Sequence, residues 1–250
     1  MILLFIIVDN IIFKRNMLIE QPPLVYRLLF PGGHWRLPSK KEKVIYLTFD
    51  DGPIPELTPW VLDLLDRYNI KATFFCVGDN VRKYPEIYQD ILDRGHKVGN
   101  HTYNHIQGIR TFTKNYIKNT QEAAEYIESP LFRPPHGHMR LPQFFKLRKK
   151  YKIILWDVVT RDYSNRLTPD DVLNNVKNYT RNGSIVVFHD SLKAEKNMKY
   201  ALPLAIEWLK EQGYVFKTIE EGLAEVSNEA VETNLHNSES DNRELVRDYR

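Results

Sequence analysis

From Val44 onward, apolar and polar positions alternate between short β-like runs and longer helical stripes. The run Val44-Ile45-Tyr46-Leu47-Thr48-Phe49 is apolar and ends abruptly in Asp50-Asp51-Gly52-Pro53, where Gly-Pro signals a turn. Leu57, Val61, Leu64 and Leu65 then recur at i, i+4, i+7 and i+8, the stripe of one helix face. The β-like stretch Ala72–Val77 follows, then a helix with Ile87, Ile91 and Leu92 on one side, and a short strand His96–Gly99. A helix around Tyr116 to Ile127, a strand Leu131–Arg133 and a helix near Pro142 to Lys149 continue the rhythm. In the second half, strand Ile153–Trp156 leads to a helix announced by Thr168-Pro169-Asp170-Asp171, where Thr168 caps, Pro169 suits the first helical position and Asp171 closes a capping box. Strand Ser184–Phe188, a helix carrying Leu204, Ala205, Trp208 and Leu209 that stops at Gly213, and a last strand Tyr214–Phe216 complete it. About seven strands alternating with helices, without a Gly-rich dinucleotide loop, predict a single parallel α/β domain, most simply a barrel.

The ends of the chain break this pattern. Residues 21–43 are rich in Pro, Gly and basic side chains, an irregular lead-in rather than a domain, and beyond Val226 apolar periodicity gives way to Asn, Ser and Glu. Such a tail buries too little apolar surface to offset its ordering entropy and is expected to be mobile. The division is therefore 1–43 lead-in, 44–226 a single α/β domain and 227–250 polar tail. The apolar start Met1–Val8 is too short to span a membrane and has no basic residue before it, so no cleavable signal is expected. Met17 is an alternative natural start, which would make 1–16 translated upstream sequence. The compartment, cytoplasm or cell envelope, any membrane association and the oligomeric state stay open. A net charge of +3 over 250 residues is too small for a dedicated nucleic-acid binder, so no such partner is expected. Cys76 is the only cysteine, which excludes an intrachain disulfide and a thiolate zinc site and leaves metal binding to His and carboxylates.

In parallel α/β folds, functional residues gather at the C-terminal ends of strands. Asp50 and Asp51, His101 and His105, Arg133, Asp157 and Asp162, and His189 and Asp190 all follow predicted strands. Two imidazoles four apart in His101-Thr102-Tyr103-Asn104-His105 face one side of a helical turn. With a carboxylate from a neighbouring strand they form a two-His, one-carboxylate set with open positions, suited to Zn²⁺ and equally to Fe²⁺, Co²⁺ or Ni²⁺.

Together, Thr48-Phe49-Asp50-Asp51-Gly52-Pro53, His101-Thr102-x-x-His105, Arg133-Pro134-Pro135-His136-Gly137 and Val187-Phe188-His189 resemble, in order, the motifs of the polysaccharide deacetylase family, the carbohydrate esterases with a nodulation-type deacetylase domain. The likeness covers roughly Val44 to Leu223, with Lys71-Ala72-Thr73-Phe74-Phe75 and Gly213-Tyr214 also fitting. The resemblance implies a distorted (β/α) barrel and metal-dependent removal of acetyl groups from a carbohydrate, typically an N-acetylated amino sugar. By position, Asp51, His101 and His105 would hold one divalent ion, Zn²⁺ foremost with Co²⁺, Ni²⁺ or Fe²⁺ as alternatives. Asp50 would be the general base, with Arg133 keeping it ionised and oriented. His189 would be the general acid, with Asp162 raising its proton affinity. The backbone N–H of His136 would join the oxyanion site, and Tyr163 would stack on a sugar ring.

The sequence also departs from the family pattern. Where relatives read Asp-x-x-Asp-Trp, this chain has Val159 for the first Asp and Tyr163 for the Trp, and many relatives carry Tyr at the position of His136. These differences bear on substrate preference. Rival expectations are a catalytically silent carbohydrate-binding protein on the same scaffold, an O-acetyl esterase, and a non-haem iron enzyme; the separate base and acid favour hydrolysis.

Overall fold

The computed structural model describes residues 20–228. The question of the natural start and nearly all of the expected tail lie outside the described residues. Within them, β1 (Val44–Asp50), β2 (Thr73–Cys76), β3 (Lys97–Asn100), β4 (Leu131–Phe132), β5 (Lys152–Ile153), β6 (Val158–Val159), β7 (Ser184–His189) and β8 (Val215–Phe216) form one parallel sheet. Its order is β5-β4-β3-β2-β1-β7-β6, with β8 beside β1, and it curls into a distorted barrel. Strand β1 is the axis: it pairs with β7 from Ile45 to Asp50 and, on its other edge, with β8 at Val44–Ile45 and β2 at Thr48–Asp50. All seven of its residues are buried, which is why the sequence there is apolar without alternation.

The helical stripes dock as their spacing requires. In α2 (Thr58–Arg67), Val61, Leu64 and Leu65 enter the core with the preceding Leu57. In α4 (Pro85–Asp93) the inward pair is Tyr88 and Ile91, while Leu92 is exposed, so the apolar face is rotated from the one expected. Helix α7 (Pro169–Tyr179) opens with the expected capping box: Thr168 Oγ1 accepts the Asp171 N–H and Asp171 Oδ2 accepts the Thr168 N–H. Helices α5 (Thr113–Ala123), α6 (Leu141–Leu147) and α8 (Glu195–Glu211) match predicted segments, whereas α1 (Leu24–Leu28), α3 (Gly78–Lys83), strand β6 and a helix over 219–228 carried too short or too polar a pattern to be read.

The lead-in has a structural task. Edge strands β5 and β6 do not pair, and residues 20–37 run between them: the His34 N–H donates to Ile153 O (2.9 Å), the Leu155 N–H to His34 O (2.7 Å), the Leu37 N–H to Gly183 O (2.9 Å) and the Val159 N–H to Glu20 O (2.9 Å). Exposed strand edges present unpaired polar groups, and this strap covers them. Its own Phe30, Trp35 and Leu37 are buried against the barrel.

Candidate metal centre and active site

Strand register assembles the site. Asp50 and His189 are direct partners across β1 and β7, so their side chains emerge about 4.8 Å apart along the sheet. Asn100 pairs with Cys76 on one side and Phe132 on the other, which brings the following residues, His101 and Arg133, to the same end.

Asp51 turns out of β1 with φ 86°, and its carbonyl accepts the Asn80 side-chain amide at 2.7 Å. Its Oδ1 lies 3.1 Å from His105 Nε2 and 3.8 Å from His101 Nε2. The two histidines do not share a helical turn as the spacing suggested. They belong to an irregular loop in which Thr102 and His105 adopt left-handed φ of 65° and 54°. That loop is held by two asparagines that the sequence reading missed. Asn100 Oδ1 accepts the Thr102 N–H, and Asn119 Oδ1 accepts the N–H groups of Tyr103 and Asn104. No motif marks such residues; only the folded loop shows which backbone groups need partners.

The three donors suit a divalent cation. The Arg133 carbonyl can only accept, so His101 Nδ1, 2.8 Å away, carries the hydrogen and Nε2 offers its lone pair to the site. Asp51 Oδ1 is buried without a hydrogen-bond partner, an orphan that an ion would satisfy. One ligand atom from each of Asp51, His101 and His105 falls within 4.8 Å of the others, a carboxylate and two imidazoles of the donor type that Zn²⁺ and its neighbours prefer. Burial pushes the Asp51 carboxyl up, but contact with His105 and the nearby His189 and His101 outweigh it and leave Asp51 well below the usual carboxylate range. Burial lowers His101 to about 4 against the pull of Asp50 and Asp51, so it is neutral and able to ligate.

On one side of this triad, Arg133 Nη1 donates to Asp50 Oδ1 at 2.6 Å and to the Thr48 hydroxyl at 2.7 Å, while Nη2 donates to Leu155 O and the guanidinium lies 4.0 Å over the Phe75 ring. On the other side, Asp162 accepts both the His189 main-chain N–H and its Nδ1–H, each at 2.7 Å. Burial alone would lower His189, but Asp162, with Asp51 and Asp50, pushes it up to about 9. Tyr163, 43% exposed, sets its ring edge-on to His189 at 4.7 Å. His136 sits at φ 58° with its ring 4.6 Å from His105, and its backbone N–H makes no hydrogen bond among the described residues.

Asp157 does not join the site. It precedes β6 instead of following a strand, and is a buried anchor for Arg27 (2.6 Å), Arg181 (2.7 Å) and the Ser184 hydroxyl (2.7 Å). Trp35 is likewise core, packed against Trp156 at 6.3 Å. Asp190 is present at the strand end, but its carboxylate receives the Gly52 N–H and the Thr58 hydroxyl.

Residues 38–152 match the family model described as polysaccharide deacetylase. A peptidoglycan-N-acetylglucosamine deacetylase of Bacillus cereus is 35% identical over 209 residues, covering 79% of this chain and 97% of that protein. The peptidoglycan-N-acetylmuramic acid deacetylase PdaC of Bacillus subtilis is 32% identical over 82% of this chain, which spans 44% of that longer protein. A solved structure of PdaC superposes with a TM-score of 0.70 at 30% identity, over 80% of this chain and 98% of the other.

Proposed function

The chain belongs to the polysaccharide deacetylase family, and from that membership we propose that it removes the N-acetyl group from N-acetylhexosamine residues of a cell-envelope glycan such as peptidoglycan. One divalent ion, Zn²⁺ first among the candidates, would be held by Asp51, His101 and His105. The carrying observation is that this triad is flanked by two ion-paired groups of opposite charge type, Asp50 on Arg133 and His189 on Asp162.

The chemistry that such an ion supplies when bound is Lewis acidity, which brings the pKa of water towards ~7 and polarises the acetyl carbonyl. Asp50 takes the proton of the attacking water. Its Oδ1 is committed to Arg133, leaving Oδ2, which accepts no hydrogen bond among the described residues, to face His101 Nε2 at 3.9 Å. The free N–H of His136 meets the oxyanion of the tetrahedral intermediate, a contact worth roughly 3 kcal/mol. His189 gives its Nε2 proton to the departing nitrogen, since Nδ1–H is occupied by Asp162, and a group at about 9 starts protonated at neutral pH. An amine leaves only once protonated, whereas an ester alkoxide depends less on an acid, so this pair supports amide over ester hydrolysis.

The test is acetate release from peptidoglycan, chito-oligosaccharides and O-acetylated xylan with Zn²⁺- or Co²⁺-loaded protein. Asp50→Asn is expected to abolish turnover while Zn²⁺ binding, followed by calorimetry, persists. Release from the O-acetylated polymer alone, or undiminished activity in Asp50→Asn, contradicts the proposal.

A further inference from the structure

Asp190 has no part in the chemistry above, yet it is fully enclosed, has no ion pair among the described residues and lies close to a second carboxylate, Asp51. Burying a carboxyl without a counter-charge is costly, and burial together with the nearby Asp51 pushes this one up to about 8, so its placement calls for a compensating role. Its two oxygens are taken up by the turn that leaves β1 and by the first residue of the helix that follows it. Oδ1 accepts the Gly52 N–H at 3.0 Å and Oδ2 accepts the Thr58 hydroxyl at 2.6 Å, while Thr58 Oγ1 accepts the Ile54 N–H at 2.9 Å. The Asp190 main-chain N–H donates to the Asp50 carbonyl at 3.1 Å, so residue 190 grips the turn from both sides of Asp51. The fit is close: a Cβ on Gly52 would lie 1.9 Å from Asp190 Oδ2. The gripped residue, Asp51, holds φ 86°, a left-handed conformation that is uncommon outside glycine and that the contacts on either side of it help to hold.

We propose that Asp190, with Thr58, is a positioning residue for the metal centre, clamping the Asp51–Ile54 turn so that Asp51 Oδ1 faces His101 and His105. The inference rests on the reading of Asp51 as a ligand. The clamp touches no reacting atom and acts on the orientation of the ligand alone, as the partners behind metal-binding side chains do.

Zn²⁺ titration of the ion-free protein against a competing chelator tests it. Asp190→Asn keeps an acceptor for Gly52 but turns a donor towards Thr58, and Thr58→Val deletes the hydroxyl at nearly constant volume. Each is expected to weaken Zn²⁺ binding about 10- to 100-fold, with Thr58→Ser restoring it. A purely structural role would lower the Tm of the ion-free protein and leave the Zn²⁺ affinity, measured well below that Tm, unchanged. Affinities within about threefold of wild type in every variant that folds, against an expected loss of about 10-fold or more, overturn the clamp. Asp51→Ala separates the two readings: if it binds Zn²⁺ as tightly as wild type, the ligand assignment itself fails and the clamp with it.

Discussion

In the proposed reaction, His189 and Asp162 are the pair of side chains that would set the alkaline end of the pH range. Its ring donates to Asp162 through Nδ1 and is pushed up from 6.5 to about 9, so the folded protein binds this proton more tightly than the unfolded chain. In the ion-free protein the pair's contribution to stability is therefore fully present below about pH 6.5 and lost as pH rises through about 9. Asp162→Asn removes the charge that raises His189. It should draw the alkaline limb of kcat towards neutrality and, in the ion-free protein, flatten the fall of Tm that accompanies loss of this proton; an unmoved alkaline limb would assign that ionisation to another group. Arg133 is bound to its place by geometry as much as by charge. Its fork serves Thr48, Asp50 and the Leu155 carbonyl at once while its plane lies on Phe75, and a lysine cannot reproduce that set.

At the scale of elements, the candidate metal triad depends on a loop that has no regular structure of its own. Segment 101–105 follows β3 and is fastened to α5 by Asn119, whose Oδ1 takes two backbone N–H groups and whose Nδ2 donates to Asn104 Oδ1. Asn119→Ala leaves those donors to water and frees the loop that carries both imidazoles. Zn²⁺ affinity should fall by about 10-fold or more, while Tm changes little because Asn119 lies at the surface of α5; an unchanged affinity would show that the left-handed backbone is held by other contacts. The loop carrying His136 is fixed by a steric limit at Gly137. With φ 71°, a Cβ there would lie 1.5 Å from the Trp156 ring, so only glycine permits both the turn and the indole behind it.

For the whole molecule, the strap is what completes a sheet whose edges do not meet. It buries Phe30, Trp35 and Leu37, and its Tyr26 hydroxyl donates to the Gly137 carbonyl at 2.8 Å, which ties the closure of the barrel to the loop carrying His136. Trp35→Ala should cost about 3–5 kcal/mol in urea unfolding, the range for removing a buried indole, whereas a loss below about 1 kcal/mol would mean that the strap is not part of the cooperative unit. By itself, the sequence determined the alternation of strands and helices, the strand ends that bear acids and imidazoles, and the pairing of motifs with a family. These are local signals, written in residue spacing and turn chemistry. Tertiary structure alone decided that Asp157 anchors the strap and stands apart from the site, that His101 and His105 converge through a left-handed loop, and that Asn119, Thr58 and Asp190 hold what the motifs supply. Each of those outcomes rests on contacts between distant segments, such as Gly52 with Asp190, 138 residues apart, where neither partner has a local pattern that announces the other.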